Sequence, residues 1–318
     1  MLMPAKQYRF HHRIPAPAML ARYSARGNAG GPCRRCITIR ACERDRRRRP
    51  PALPASLSTS RRIDCALIVS AVSYLNTWPL VWGFLHGPQR GIFDFRFDLP
   101  VHCAEALRDG KADIGLVPCA ELDRLGLDFL PDLGIACEGP VRSILLISRK
   151  PFREIRTLAV DSSSRTSVAL ARILLAELYG CRPVLTPLAP YLDEMLVEKD
   201  AALIIGDPAL HLDPDALPYE TLDLGAEWVK WTGLPMVFAV WAGRGELLTR
   251  EVAGAFEASH DWGSKHVDDM VARASAERGF PKDLARQYFT RYIAYRLSAK
   301  HLEGLAAFRT LARNLEPL

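Results

Sequence analysis

The sequence predicts an α/β protein of two lobes with a central cleft and two hinge crossings, and three observations lead there. Strand-like and helix-like segments alternate from residue 66 to about residue 242. Two long apolar runs, 141–148 and 235–241, bracket a middle section of about 85 residues with a strand, helix, strand pattern of its own. A chain of 318 residues, 49% hydrophobic, is long enough to fill two such cores. The expected division is lobe I from 64–150 plus 236–318 and lobe II from 151–235. Small ligands bind most often in the cleft between two such lobes.

The elements follow in order. "ALIVSAV" (66–72) is a short apolar run that reads as a buried strand, and "FDFRFDL" (93–99) alternates with period two. "VHCAEALRDGK" (101–111) has helical spacing and stops at Gly110, before the buried strand "ADIGLVP" ends on Pro118. A strand, helix, strand unit of this kind belongs in a parallel sheet covered by helices. "VRSILLIS" (141–148) is the next strand, then "TLAVDSSS" (157–164). In "RTSVALARILLAELYG" (165–180), Leu170, Ile173, Leu174 and Leu178 fall on one helix face, and Gly180 ends the helix. "DAALIIGD" repeats the strand and loop theme, and "LPMVFAVWA" (234–242) is the last strong strand. Everything after it reads helical up to Leu318.

Charge is divided unevenly. Residues 1–63 hold 15 Lys/Arg against Glu43 and Asp45, a balance of +13, while residues 64–318 stand at −7. The head is rich in Arg, Pro and Ser without periodicity, so it cannot bury enough apolar surface to offset ordering entropy. A nucleic-acid or anionic-membrane arm and a transit peptide both fit such a charge run. The plainer expectation is an over-extended start, with the protein beginning near Leu57 to Ile63, where patterned sequence begins.

No apolar stretch reaches the roughly 18 residues of a membrane span, and the head lacks the apolar core of about 7 to 15 residues of a secretory signal. "CRRC" (33–36) has no second pair, which argues against zinc, and the other cysteines are scattered singly, as in a reduced cytosolic protein. The eight histidines show no metal-ligand spacing. Arg286, Arg291 and Arg296 interleave with tyrosines, yet the helical spacing of the apolar residues in that stretch favours a packed, solvated helix over a nucleic-acid face. The expected partner is therefore a small molecule, with no nucleic acid, membrane or metal.

Candidate chemistry concentrates in five places. In "SYLNTWPL", Ser73, Tyr74, Asn76 and Thr77 leave a strand just before Trp78-Pro79, where Pro79 suits a helix start facing the cleft. In "VDSSSRTSVAL", Ser162, Ser163 and Ser164 are N-cap candidates, with Arg165, Thr166 and Ser167 in the first turn. A helix start with free N–H groups and hydroxyls binds a carboxylate or phosphate, although a plain cap needs only one Ser. "IIGDPAL" puts Gly206 and Asp207 at a strand's carboxyl end, the edge that faces the ligand crevice in open α/β sheets. Gly206 would let backbone approach a ligand, and Asp207 reads more plainly as a helix cap. Ser143, in an otherwise apolar strand, needs a partner from backbone or ligand, and Thr232 precedes the second crossing. GxSxG, HExxH and P-loop motifs are all missing.

Taken in order, "VSYLNTWPL", "GKADIGLVP", "VDSSSRTSVALARILL", "ALIIGDPAL" and "WVKWTGLPMVFAVW" resemble the menaquinone-pathway chorismate dehydratase family of the futalosine route. The resemblance covers about residues 64–318. It departs at Trp78, where that family often has a smaller apolar residue, at Met236, where Phe is common, and in the basic head. It implies a fold like the type II periplasmic binding proteins in a cytoplasmic enzyme without metal or organic cofactor. The implied reaction removes water from chorismate to give 3-[(1-carboxyvinyl)oxy]benzoate. It implies Asn76 and Ser143 as catalytic contacts, and Ser73, Tyr74, Ser163, Arg165, Thr166, Ser167, Gly206, Asp207 and Thr232 as substrate-binding residues. Two alternatives share the fold: a small-carboxylate binding protein without activity, and a sister dihydroxynaphthoate synthase, whose opening motif differs.

Overall fold

The computed structural model describes residues 66–315; the basic head and its expected late start lie outside the described residues. The chain opens with β1 (Ile68–Val72), a short 3₁₀ turn (Leu75–Thr77), α1 (Trp78–His86), β2 (Asp94–Asp98), α2 (Pro100–Arg108) and β3 (Ile114–Pro118). After α3 (Leu122–Leu125) come the long β4 (Asp128–Cys137) and then β5 (Ile144–Ser148). The middle of the chain is β6 (Thr157–Val160), α4 (Arg165–Tyr179), β7 (Val184–Pro187), α5 (Leu192–Glu198), β8 (Ala201–Ile205), α6 (Gly206–His211), β9 (Glu220–Asp223) and α7 (Leu224–Thr232). It ends with β10 (Met236–Gly243), α8 (Arg250–Lys265), α9 (Val267–Arg278), α10 (Lys282–Gln287), a π-helical turn (Tyr288–Tyr292), β11 (Ala294–Arg296) and α11 (Ala299–Arg313).

The strands form two mixed sheets of the same plan. The first has the order β11-β4-β10-β3-β1-β2 and the second β7-β6-β8-β5-β9. In each, three strands run parallel in the order second, first, third (β2-β1-β3 and β7-β6-β8), followed by an antiparallel strand and then by β4 and β11 in the first sheet and β9 in the second. That antiparallel strand comes from the other pass of the chain: β10 enters the first sheet after the second is complete, and β5 enters the second before the rest of it is built. The chain thus crosses between the sheets twice, between Cys137 and Ile144 and again after Asp223.

Two expectations need correction here. The strand in 141–148 was assigned to lobe I, but Ile144–Ser148 pairs with β8 and β9 in the second sheet, Ile144 facing Ile205 and Leu145 facing Asp223. An apolar run marks a buried strand without saying which sheet buries it, and these partners lie more than 50 residues onward. The tail, expected to be helical throughout, contains the π turn and β11, which extends the first sheet beside β4. Three residues are too few to show a period of two.

Local chemistry explains the rest. The central strands β1, β3 and β8 are buried on both faces and read as unbroken apolar runs, whereas β2, at a sheet edge, alternates and turns Asp94, Arg96 and Asp98 outward. The α4 helix starts with the Ser164 side chain accepting from Ser167 N, and stops at Gly180, whose φ of 66° suits a glycine. One large apolar cluster includes strands of both sheets and the fully buried Trp228 and Trp241; a smaller one packs Leu145, Ile147, Ala202 and Ile204 against α5 and α6. Cys103, Cys119, Cys137 and Cys181 are buried and unpaired. No helix among the described residues is long and apolar enough to cross a membrane.

Burial also sets a pH dependence. Loss of hydration lowers the pKa of His86, His211, His260 and His301 below the ordinary 6.5. Below about pH 6.5 the unfolded chain therefore binds protons that the folded chain resists. Stability from this source is present above that pH and declines as pH falls. Asp161 and Asp223, raised by burial, act in the opposite sense in more acidic solution. A lower melting temperature is expected at pH 5.8 than at pH 7.5, measured in matched buffers; an unchanged or higher one would contradict this account.

Candidate active site

At the carboxyl end of β1 the chain turns through Ser73–Thr77 into α1, and three ties hold that turn. Leu75 N donates to Asp207 Oδ1 at 2.8 Å. Arg278, from the end of α9, donates to Ser73 O at 2.8 Å and forms an ion pair with Asp207. Its guanidinium also stands 5.0 Å from the centre of the Trp78 ring. Tyr74 Oη meets Ser163 Oγ at 3.0 Å, joining the turn to the loop before α4. The polar residues of "SYLNTWPL" are thus pinned by groups between 89 and 205 residues away in sequence.

Between the two sheets lies a narrow cleft of about 50 Å³, lined by residues of both. Leu116, Ile135, Phe238, Ile144 and Ile205 give it apolar walls. Its polar lining is Tyr74, Asn76, Ser143, Ser164 and Ser167, with the backbone of Gly206. Gly206 has φ of 64°, and a Cβ there would sit 2.6 Å from the Tyr74 ring, so glycine is required on both counts. Its N–H donates to Ser143 O at 2.8 Å, which ties the start of α6 to the entry of β5.

The hydroxyls are connected. Tyr288 Oη, fully buried, donates to Ser143 Oγ at 2.8 Å, with the Asn76 side chain close to the same phenol. Across from them, Ser167 Oγ donates to Ser164 Oγ at 3.2 Å, and Ser164 Oγ also accepts from Ser167 N. Those bonds leave the Ser164 hydroxyl hydrogen for a cleft occupant, beside the N–H groups of the first turn of α4. Burial raises the Tyr74 and Tyr288 phenols, so both are neutral O–H groups at neutral pH.

Other residues expected at the site are committed elsewhere. Arg165 lies outside the cleft lining and pairs at 2.8 Å with Glu121, because one residue past the cap a side chain already lies round the helix from the cleft. Thr166 Oγ1 accepts from Ala120 N at 3.1 Å, a tie between α4 and the segment after β3. Thr232 closes the end of α7, donating to Trp228 O at 2.8 Å and accepting from Leu234 N. Ser73 and Asp207 serve the anchor just described, and Ser163 touches the cleft only through Tyr74. Two residues of the site carried no sequence signal: Arg278 and Tyr288 sit in a helical tail whose pattern reads as ordinary packing.

Around the cleft Arg278 pairs with Asp207 and Arg165 with Glu121, while the buried Asp161 carboxyl accepts from Ser163 N. Among the described residues no group of three or more His, Cys, Asp or Glu is placed to hold a metal ion. What the cleft offers is hydroxyl, amide and helix N-terminal donors against apolar walls. Such a surface orients a small molecule rich in oxygen acceptors and carrying an apolar ring.

A family model described as menaquinone biosynthesis matches residues 67–314. A protein of Thermus thermophilus called chorismate dehydratase is 31% identical over 230 residues, 66% of this chain and 83% of that one. One of the same name from Campylobacter jejuni is 28% identical over 181 residues, 56% of this chain and 64% of the relative. Among solved structures, a Candida albicans protein described as having the generic periplasmic binding protein fold superposes with a TM-score of 0.55 at 13% identity, covering 80% of this chain and 92% of that one. At that identity the likeness shows the fold alone, and the fold is two-lobed α/β.

Proposed function

The chain belongs to the menaquinone biosynthesis family, and from that membership we infer that it is a chorismate dehydratase, a lyase that removes water from chorismate to give 3-[(1-carboxyvinyl)oxy]benzoate. The observation that carries the reading from family to residues is the cleft itself, where Asn76 and Ser143, the latter held by Tyr288, face the hydroxyl-bearing start of α4.

Chorismate is a dicarboxylate whose ring carries a hydroxyl and an enolpyruvyl ether on adjacent carbons. Loss of water makes the ring aromatic, so the product lies far downhill and the enzyme's task is positioning. Ser164, Ser167 and the N–H groups of α4 hold one carboxylate at the positive end of the helix. The apolar walls sandwich the ring. Asn76 and Ser143 then hydrogen-bond the departing hydroxyl. The substrate's second carboxylate, held close by the bound geometry, takes the ring proton, whose C–H electrons complete the aromatic ring as the C–O bond breaks, and that proton passes on to the departing hydroxyl, which leaves as water. Orientation of this kind is worth several kcal/mol without any protein base. The residues present fit this route, which asks for no His or Glu pair. A cytosolic place suits an enzyme of biosynthesis with four buried, unpaired thiols.

The reading is tested by incubating the chain with chorismate and identifying the product by mass spectrometry. A product lighter by one water and carrying an aromatic ring is expected. Tight binding of chorismate without a product would favour a binding protein of the same fold instead.

A further inference from the structure

The bond joining Tyr288 and Ser143 has a direction, and the direction defines what each can do. A phenol has one hydrogen, and that of Tyr288 is given to Ser143 Oγ at 2.8 Å. Ser143 is 1% exposed, and among the described residues its hydroxyl has no second partner. With an acceptor position filled by Tyr288, its own hydrogen has one place to go, the cleft that it lines.

We propose that Tyr288 is the positioning residue of this site, fixing the rotamer of Ser143 and turning its hydroxyl into an obligate donor toward the group that leaves. The inference rests on the dehydratase reading of the cleft and adds to it a residue and a polarity. The run of donors is Tyr288 O–H to Ser143 and Ser143 O–H to the occupant. An occupant must therefore present an acceptor at Ser143, as the hydroxyl oxygen of the substrate does. Tyr288 begins the π turn, a widened stretch of helix of a kind frequent at functional sites, and it is held without exposure to solvent. Burial keeps it a phenol through neutral pH, so the donor persists where the enzyme works.

Removing a donor that touches the reacting atoms costs about 10²–10³ in kcat. One hydrogen bond further back, Tyr288→Phe is expected to lower kcat roughly 10- to 100-fold, with KM for chorismate changed less than about 3-fold. In a Ser143→Ala background the same change should cost less than about 2-fold, since the group it orients is gone. A structural role alone would raise KM or lower the melting temperature, and its losses would multiply across the two variants. Tyr288→Phe with kcat within about 2-fold of wild type, or multiplying losses, overturns the proposal while leaving the dehydratase reading intact. A wild-type chain inert toward chorismate overturns both. If Tyr288→Phe does not fold, 4-fluorophenylalanine at 288, which fills the phenol's volume without its O–H, should give the same loss; full turnover there overturns the proposal.

Discussion

Asn76→Ala is expected to lower kcat with chorismate by about 10²–10³ while leaving the melting temperature within a few degrees of wild type. Its side chain, half-buried in a turn that other residues pin, contributes little to the core; its amide lines the cleft. The size follows from the cost of deleting one preorganised donor at developing negative charge, here the departing hydroxyl. A change confined to KM would demote Asn76 to a group that binds ground state and transition state alike. Steady-state kinetics beside a thermal melt separate the two outcomes.

The second large effect is on the anchor. Arg278→Met should destabilise the protein by about 2–3 kcal/mol and raise KM as well. Arg278 and Asp207 have side chains only 18% and 16% exposed, and the arginine also holds Ser73 O and covers Trp78. Removing it leaves Asp207 a half-sealed carboxylate with Leu75 N as its remaining neighbour, and breaking a fully buried pair costs about 3–5 kcal/mol. The partial exposure brings the figure down. The comparison is Arg286→Met, whose pair with Asp268 is exposed on both sides and should cost no more than about 1 kcal/mol. Equal effects from both substitutions, measured by denaturant unfolding, would show that the anchor contributes no more than a surface pair.

What the sequence made legible is what neighbours in sequence decide. The α4 start was readable because a cap is a bond between residue and residue three onward, and Ser164 makes it to Ser167. The stop at Gly180 was readable because its left-handed backbone favours glycine. The "SYLNTWPL" turn was placed at a strand's carboxyl end because an apolar run precedes it and a proline follows. What stayed hidden depends on partners far along the chain. The strand Ile144–Ser148 looks the same in either sheet; its pairing with Ala201–Ile205 and Glu220–Asp223 selects one. Arg165 read as an anion contact because it stands among five hydroxyls, but Glu121, from the other sheet's side of the chain, takes it. Tyr288 bonds Ser143 across 145 residues, and nothing local distinguishes it from the other tyrosines of the tail.

The central claim is that this cleft dehydrates chorismate through Asn76 and Ser143. The most direct measurement compares the wild-type chain with the Asn76→Ala, Ser143→Ala double variant, both shown to be folded, each incubated with chorismate and followed by mass spectrometry for 3-[(1-carboxyvinyl)oxy]benzoate. The account predicts steady formation of that product by the wild type and at least a hundredfold slower formation by the double variant. Product formed at the same rate by both, or by neither, would contradict it.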